Sequence, residues 1–194
     1  IIRDREYVSM LEQEVYLVQP SEHYYITDLD KSDGFHEIVL LDYGPSEDLV
    51  SYFFRFKQDT LEYIGSVSGL VGDETCEMDG NGRIVSSGRL QVLQTWYAPF
   101  RYALNKEGKI ELLIEELYVP YQYESNEKIQ LLKDIIIYEE RSLNSKKTLL
   151  TSGDQAIVFT KTDNLDWVFL EREDGVTGWL NLSYYDNLRF GEDG

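Results

Sequence analysis

Apolar and aromatic positions fall in short runs broken by Gly, Asp, Asn and Pro, and few stretches keep the three-to-four-residue spacing of an amphipathic helix. The runs predict strands at 15–18, 24–28, 37–42, 49–56, 60–67, 89–96 and 109–118. Later ones lie at 135–138, 149–150, 156–160 and 166–170, followed by 173–180. Polar or glycine-bearing turns at 44–48, 57–59, 79–83 and 105–108 separate them closely enough for an antiparallel meander. Only the first 20 residues are ambiguous, because Tyr7, Val8, Leu11 and Val15 also fit a helical spacing.

Composition strengthens the β reading. The 15 Tyr, 8 Phe and 3 Trp suit pleated, half-buried surfaces, and a hydrophobic content of 42% over 194 residues is enough for a real core. The expected fold is all-β, with one large domain or two small ones.

Charge removes one class of partner. The formal net charge of −18 repels a phosphate backbone, so nucleic acid is not expected as a ligand. Residues 1–124 hold 10 basic and 23 acidic side chains and 125–194 hold 8 and 13, so the acidic excess is concentrated in the first part. The single cysteine, Cys76, excludes an intrachain disulfide and a cysteine-cluster zinc site. No apolar run approaches the roughly 20 residues of a membrane span, and no signal peptide is visible. The opening Ile1-Ile2-Arg3 has the look of a chain trimmed of an export signal or a lipid-anchor segment.

The densest chemistry is the loop 28–37, in which Asp28, Asp30, Asp33 and Glu37 surround Gly34 between two strand-like flanks. A hard cation taking six to eight oxygens needs such a cluster on a tight turn, which makes these four carboxylates candidate Ca²⁺ ligands. Strand flanks exclude an EF-hand. The stretch resembles instead the calcium hairpins of FG-GAP/VCBS β-propeller repeats, with one extra residue between Asp30 and Asp33 and Glu37 in place of a final Asp. A second hairpin, Asp79-Gly80-Asn81-Gly82-Arg83, resembles a weakened copy and also reads as a plain tight turn. The resemblance implies two or three blade-like sheets over residues 1–124, too few for a closed propeller.

Residues 119–126 read as a linker. Beyond it, Trp167-Val168 and Asp174-Gly175-Val176-Thr177-Gly178-Trp179-Leu180 match in order and spacing a bacterial SH3 (SH3b) domain, the resemblance covering about 129–186. It implies a small β-barrel within 129–190, with Tyr138, Trp179 and Tyr185 as ligand contacts. The segment at 136–142 departs from the family's usual front, so the ligand does not carry over. A VCBS-like region followed by an SH3-like module resembles secreted or surface proteins of Gram-positive bacteria, whose SH3 modules contact cell-wall peptide, glycan or protein ligands.

Gly65-Ser66-Val67-Ser68-Gly69 lacks the spacing of a nucleophile elbow, the two histidines stand alone, and the glycine pair at 80 and 82 fails the dinucleotide fingerprint. Trp96, Trp167 and Trp179 offer a stacking platform or core packing, and core is favoured for Trp167. The expected function is an extracellular or cell-surface binding or adaptor protein without catalysis, carrying a structural calcium loop. The alternative is a cell-wall or carbohydrate hydrolase using two carboxylates and tethered by the SH3-like module.

Overall fold

The computed structural model describes residues 15–45, 48–57, 60–91, 96–121, 128, 131–153 and 157–184. Among the described residues, strands, turns and short 3-10 turns account for the regular structure, so the protein is all-β. Two compact units divide the chain: 1–88 with 99–114, and 89–98 with 115–194. Among the described residues no helix is long and apolar enough to cross a membrane. The ambiguous residues 1–14 and the linker positions 122–126 lie outside the described residues.

The first unit is built from two four-stranded antiparallel meanders. One runs β1 (Pro20–Thr27), β2 (Glu37–Asp42), β3 (Val50–Lys57), β4 (Thr60–Ser68), and the other β5 (Glu77–Met78), β6 (Arg83–Arg89), β7 (Tyr97–Leu104), β8 (Ile110–Leu113). Neither closes into a ring. The meanders approach at β4 and β8, where a side chain on Gly65 would lie 2.8 Å from Ile110 Cβ and Lys109 Nζ reaches Tyr63 O at 2.6 Å and Glu62 Oε1 at 2.8 Å. Central β3 buries consecutive residues, Phe53 and Phe54, so both of its faces are covered. That is why Tyr52-Phe53-Phe54 reads as an unbroken apolar run instead of an alternating one.

Several expected elements differ, among them 109–118, where the strand β8 stops at Leu113. Residues 15–18 are not a strand: the backbone N–H groups of Val18 and Gln19 donate to the Asp42 carboxylate, each at 2.7 Å, in place of a ladder partner. Of the run expected as a strand at 89–96, Leu90, Gln91 and Trp96 are not in a strand and 92–95 lie outside the described residues; the strands not anticipated are β6, which ends at Arg89, and β7. Its Pro99 argues against a strand in sequence.

Asp42 gives a pH prediction. Burial alone would raise its carboxyl, but N–H groups of Val18, Gly44 and Gln19 outweigh burial and hold it below the ordinary value. A depressed carboxylate contributes stability that is present above its unfolded pKa and lost as pH falls through the folded one. Asp42→Asn is expected to cost about 1.5 kcal/mol at pH 7 in urea unfolding, with the gap to wild type closing as pH falls below the ordinary carboxylate range. A gap that stays constant through that fall would separate the stability from ionisation.

The second unit carries one five-stranded antiparallel sheet, β9 (Ile135–Tyr138), β10 (Lys147–Leu150), β11 (Ile157–Thr162), β12 (Trp167–Arg172) and β13 (Thr177–Asn181), in the order β10-β9-β13-β12-β11. The sheet is open, with β10 and β11 as its edges, so the small barrel expected here is realised as an open five-stranded sheet. One face is core: Ile135, Ile137, Leu150, Val168, Leu170 and Leu180 are all buried. The segment 89–98 belongs to this unit, with Trp96 edge-on to Phe159 at 5.6 Å and the Gln91 N–H donating to Asn164 Oδ1 at 2.6 Å. Tyr118 and Thr162 exchange both backbone hydrogen bonds, at 2.7 and 2.9 Å.

Candidate functional site

In the first unit the expected metal loop is organised around an arginine. Glu37 at the start of β2 stands directly opposite Arg55 on β3, and Arg55 directly opposite Glu62 on β4. Glu37 is 0% exposed; its Oε1 accepts from Arg55 Nε at 2.8 Å and its Oε2 from the Leu29 N–H at 3.0 Å. Arg55 Nη2 approaches Glu37 Oε1 at 2.7 Å and Asp33 Oδ2 at 3.2 Å as ion-pair contacts, and the guanidinium lies 5.1 Å from the Phe35 ring centre. A guanidinium thus already offsets the repulsion that suggested a bound cation.

The remaining loop carboxylates serve the turn. Asp30 Oδ1 accepts the Ser32 hydroxyl at 2.6 Å and its N–H at 3.0 Å, and these bonds hold Asp30 below the usual carboxylate range. Asp28 Oδ1 is buried without a hydrogen-bond partner. The two hairpins singled out in sequence also meet: Lys31 N donates to Gly80 O at 3.0 Å, Gly82 N donates to Leu29 O at 2.7 Å, and Asp30 bridges Asn81. Of the expected calcium ligands, Asp28 keeps an Oδ1 with no hydrogen-bond partner among the described residues, and Asp30 has its Oδ1 taken by Ser32. Glu37 has both oxygens engaged, Asp33 faces Arg55, and among the described residues no group of three or more His, Cys, Asp or Glu is arranged to hold a metal.

The second unit presents a different row. Cross-strand register aligns Lys147 with Tyr138, Tyr138 with Trp179, Trp179 with Phe169, and Phe169 with Lys161, one residue from each strand. Directly opposed residues share a face of a sheet. These five therefore form one line, opposite the core face, with an aromatic centre and a lysine at each edge.

The rings meet edge to face, Phe169 with Trp179 at 5.0 Å and Tyr138 with Trp167 at 5.5 Å. Cations cover them: Lys161 Nζ lies 4.4 Å from the Phe169 centroid and 5.5 Å from Trp179, Lys147 Nζ 5.5 Å from Tyr138, and Arg141 5.4 Å from Trp179. Arg141 is paired with Glu116. Neither Lys147 nor Lys161 has a carboxylate at ion-pair distance among the described residues. Trp179 and Tyr138 are each 8% exposed.

A β-bulge places Lys161. Phe159 pairs with Leu170 on the core face, yet Lys161 pairs with Phe169, because the register shifts between Phe159 and Lys161. Strict alternation would have put Lys161 beneath the sheet with Phe159.

Tyr138 and Trp179, expected as ligand contacts, are thus brought together as cross-strand neighbours; Tyr185 lies outside the described residues. Trp167, expected in the core, stands half-buried on the outer face against Tyr138. Sequence reasoning missed Lys147, Lys161, Phe169 and Arg141. Phe169 was within reach, since alternation in 167–170 separates Trp167 and Phe169 from the core pair Val168 and Leu170, whereas the lysines depend on strand order and the bulge. The chain matches no family model, and no curated protein and no solved structure matches it.

Proposed function

We propose that this chain is a non-catalytic binding or adaptor protein of the cell surface, and that its C-terminal unit takes a ligand on the row from Lys147 to Lys161. The observation that carries this reading is the row itself: aromatic side chains from three adjacent strands, placed opposite the core and bordered by two lysines that have no carboxylate partner among the described residues. Aromatic anchors with a polar rim are the usual carriers of binding energy. The likeness of 129–186 to a bacterial SH3 module points in the same direction, to a wall peptide, glycan or protein as ligand.

Titration with purified Gram-positive peptidoglycan tests it, followed by tryptophan fluorescence. The protein is expected to co-sediment with the wall and its emission to shift, with Trp179→Phe weakening binding about tenfold and no soluble fragments released. Unchanged emission and no co-sedimentation would remove the reading. Fragment release lost on mutating a carboxylate would replace it with a hydrolase.

The acidic loop supports a second, structural reading, which rests on the unpartnered Asp28 Oδ1. Ca²⁺ held weakly by Asp28 and Asp30, with Asp33 turned from Arg55, would stabilise the first unit by about 1 kcal/mol at millimolar concentration. Thermal melting in EDTA and in millimolar Ca²⁺, on wild type and Asp30→Ala, measures this; identical wild-type curves would leave Arg55 as the counter-charge of Glu37 and Asp33 with no metal beside it.

A further inference from the structure

The geometry points to an acidic, extended peptide segment as the ligand of the aromatic row. This inference rests on the binding reading above and adds the chemistry of the partner. The chain carries a net charge of −18, yet the row gathers Lys147, Lys161 and Arg141, three of the eight basic residues in 125–194. Arg141 is neutralised by Glu116, while the two lysines hold their ammonium groups over ring faces with no carboxylate partner among the described residues. The net charge of the chain repels acidic segments, and these lysines give them a face on which to dock. Specificity then comes from attraction at the row and repulsion around it.

Distance sets the ligand's length. Five strands place the row's ends about 19 Å apart at the usual spacing of neighbouring strands, which an extended peptide covers in about six residues. Carboxylates near both ends of such a segment would meet Lys147 and Lys161. Between them the segment needs apolar side chains, because Leu149, directly opposite Ile136 and two residues along from Lys147 on the same face, is 59% exposed.

A glycan fits less well. Sugars stack on open, flat ring faces, whereas Tyr138 and Trp179 are each 8% exposed, are packed edge to face and have cations over their rings.

The test uses the full chain and three fluorescein-labelled peptides: Glu-Leu-Gly-Gly-Leu-Glu, the same peptide with Gln at both ends, and the same with Lys at both ends. Fluorescence anisotropy should give the Glu-ended peptide an affinity about tenfold above the Gln-ended one, with no measurable binding of the Lys-ended one. Lys147→Gln and Lys161→Gln should each weaken the Glu-ended peptide by about three- to tenfold, and together abolish its advantage, while thermal melts stay at the wild-type value. Equal binding of Glu- and Gln-ended peptides, or a double variant that still prefers Glu, would overturn the proposal. If no peptide binds but peptidoglycan still shifts the tryptophan emission, the acidic-peptide ligand fails and the row remains a binding site. If neither probe acts on the row, both readings fall.

Discussion

Arg55→Met should destabilise the first unit by about 3–5 kcal/mol, the usual consequence of leaving one partner of a buried ion pair without the other. Glu37 would keep its bond from the Leu29 N–H and lose the guanidinium on Oε1, in a position with no exposure to water. Asp33 would lose its cation as well. The second substitution Glu37→Gln removes the stranded charge and keeps an acceptor for Leu29, so the double variant should recover at least half of the loss. Denaturant unfolding followed by far-ultraviolet circular dichroism reads the effect. Trp96, Trp167 and Trp179 all lie in the second unit, so tryptophan emission reports on that unit separately. A loss below about 1 kcal/mol, or a double variant no better than the single, would mean that Glu37 does not depend on Arg55.

Gly88→Ala should cost about 1–3 kcal/mol, although alanine in a strand ordinarily improves on glycine by about 0.5–1 kcal/mol. The sign is what identifies the cause. A methyl group on Gly88 would lie 2.0 Å from Phe100 Cδ2 and 2.4 Å from its Cε2, and the Phe100 ring is itself buried. The ring has to turn or the strands have to part. Phe100→Leu in the Gly88→Ala background should restore part of the loss in thermal melting, because the smaller branched side chain can vacate the position above Gly88. A neutral or stabilising Gly88→Ala would show that the ring yields without strain.

The same two kinds of contact explain how far the chain could be read from its residues. Local pattern was enough for β2, whose bounds match 37–42, and for β3, β4, β9 and β12 to within two residues at each end. Each is a short apolar or alternating run closed by turn residues, and such runs have few alternatives to a strand. Residues 15–18 failed for a physical reason: the N–H groups of Val18 and the following Gln19 bind the Asp42 side chain, 24 and 23 residues away, which no local rule anticipates.

The carboxylates of 28–37 were visible as a cluster needing a counter-charge, and Tyr138 and Trp179 as aromatic residues worth attention. What supplies the counter-charge was not visible, because Arg55 meets Glu37 only through the pairing of β2 with β3. The row in the second unit depends still more on tertiary structure. Lys147, Tyr138, Trp179, Phe169 and Lys161 lie on five strands whose spatial order departs from their chain order, and one bulge decides which face Lys161 takes. Sequence alone determined that the chain is all-β, acidic and rich in aromatic residues, since composition and alternation act locally. The tertiary structure decided which charges are neutralised and which aromatic residues stand together, because side-chain neighbours across a sheet are set by register, and a shift of one residue moves every side chain to the other face.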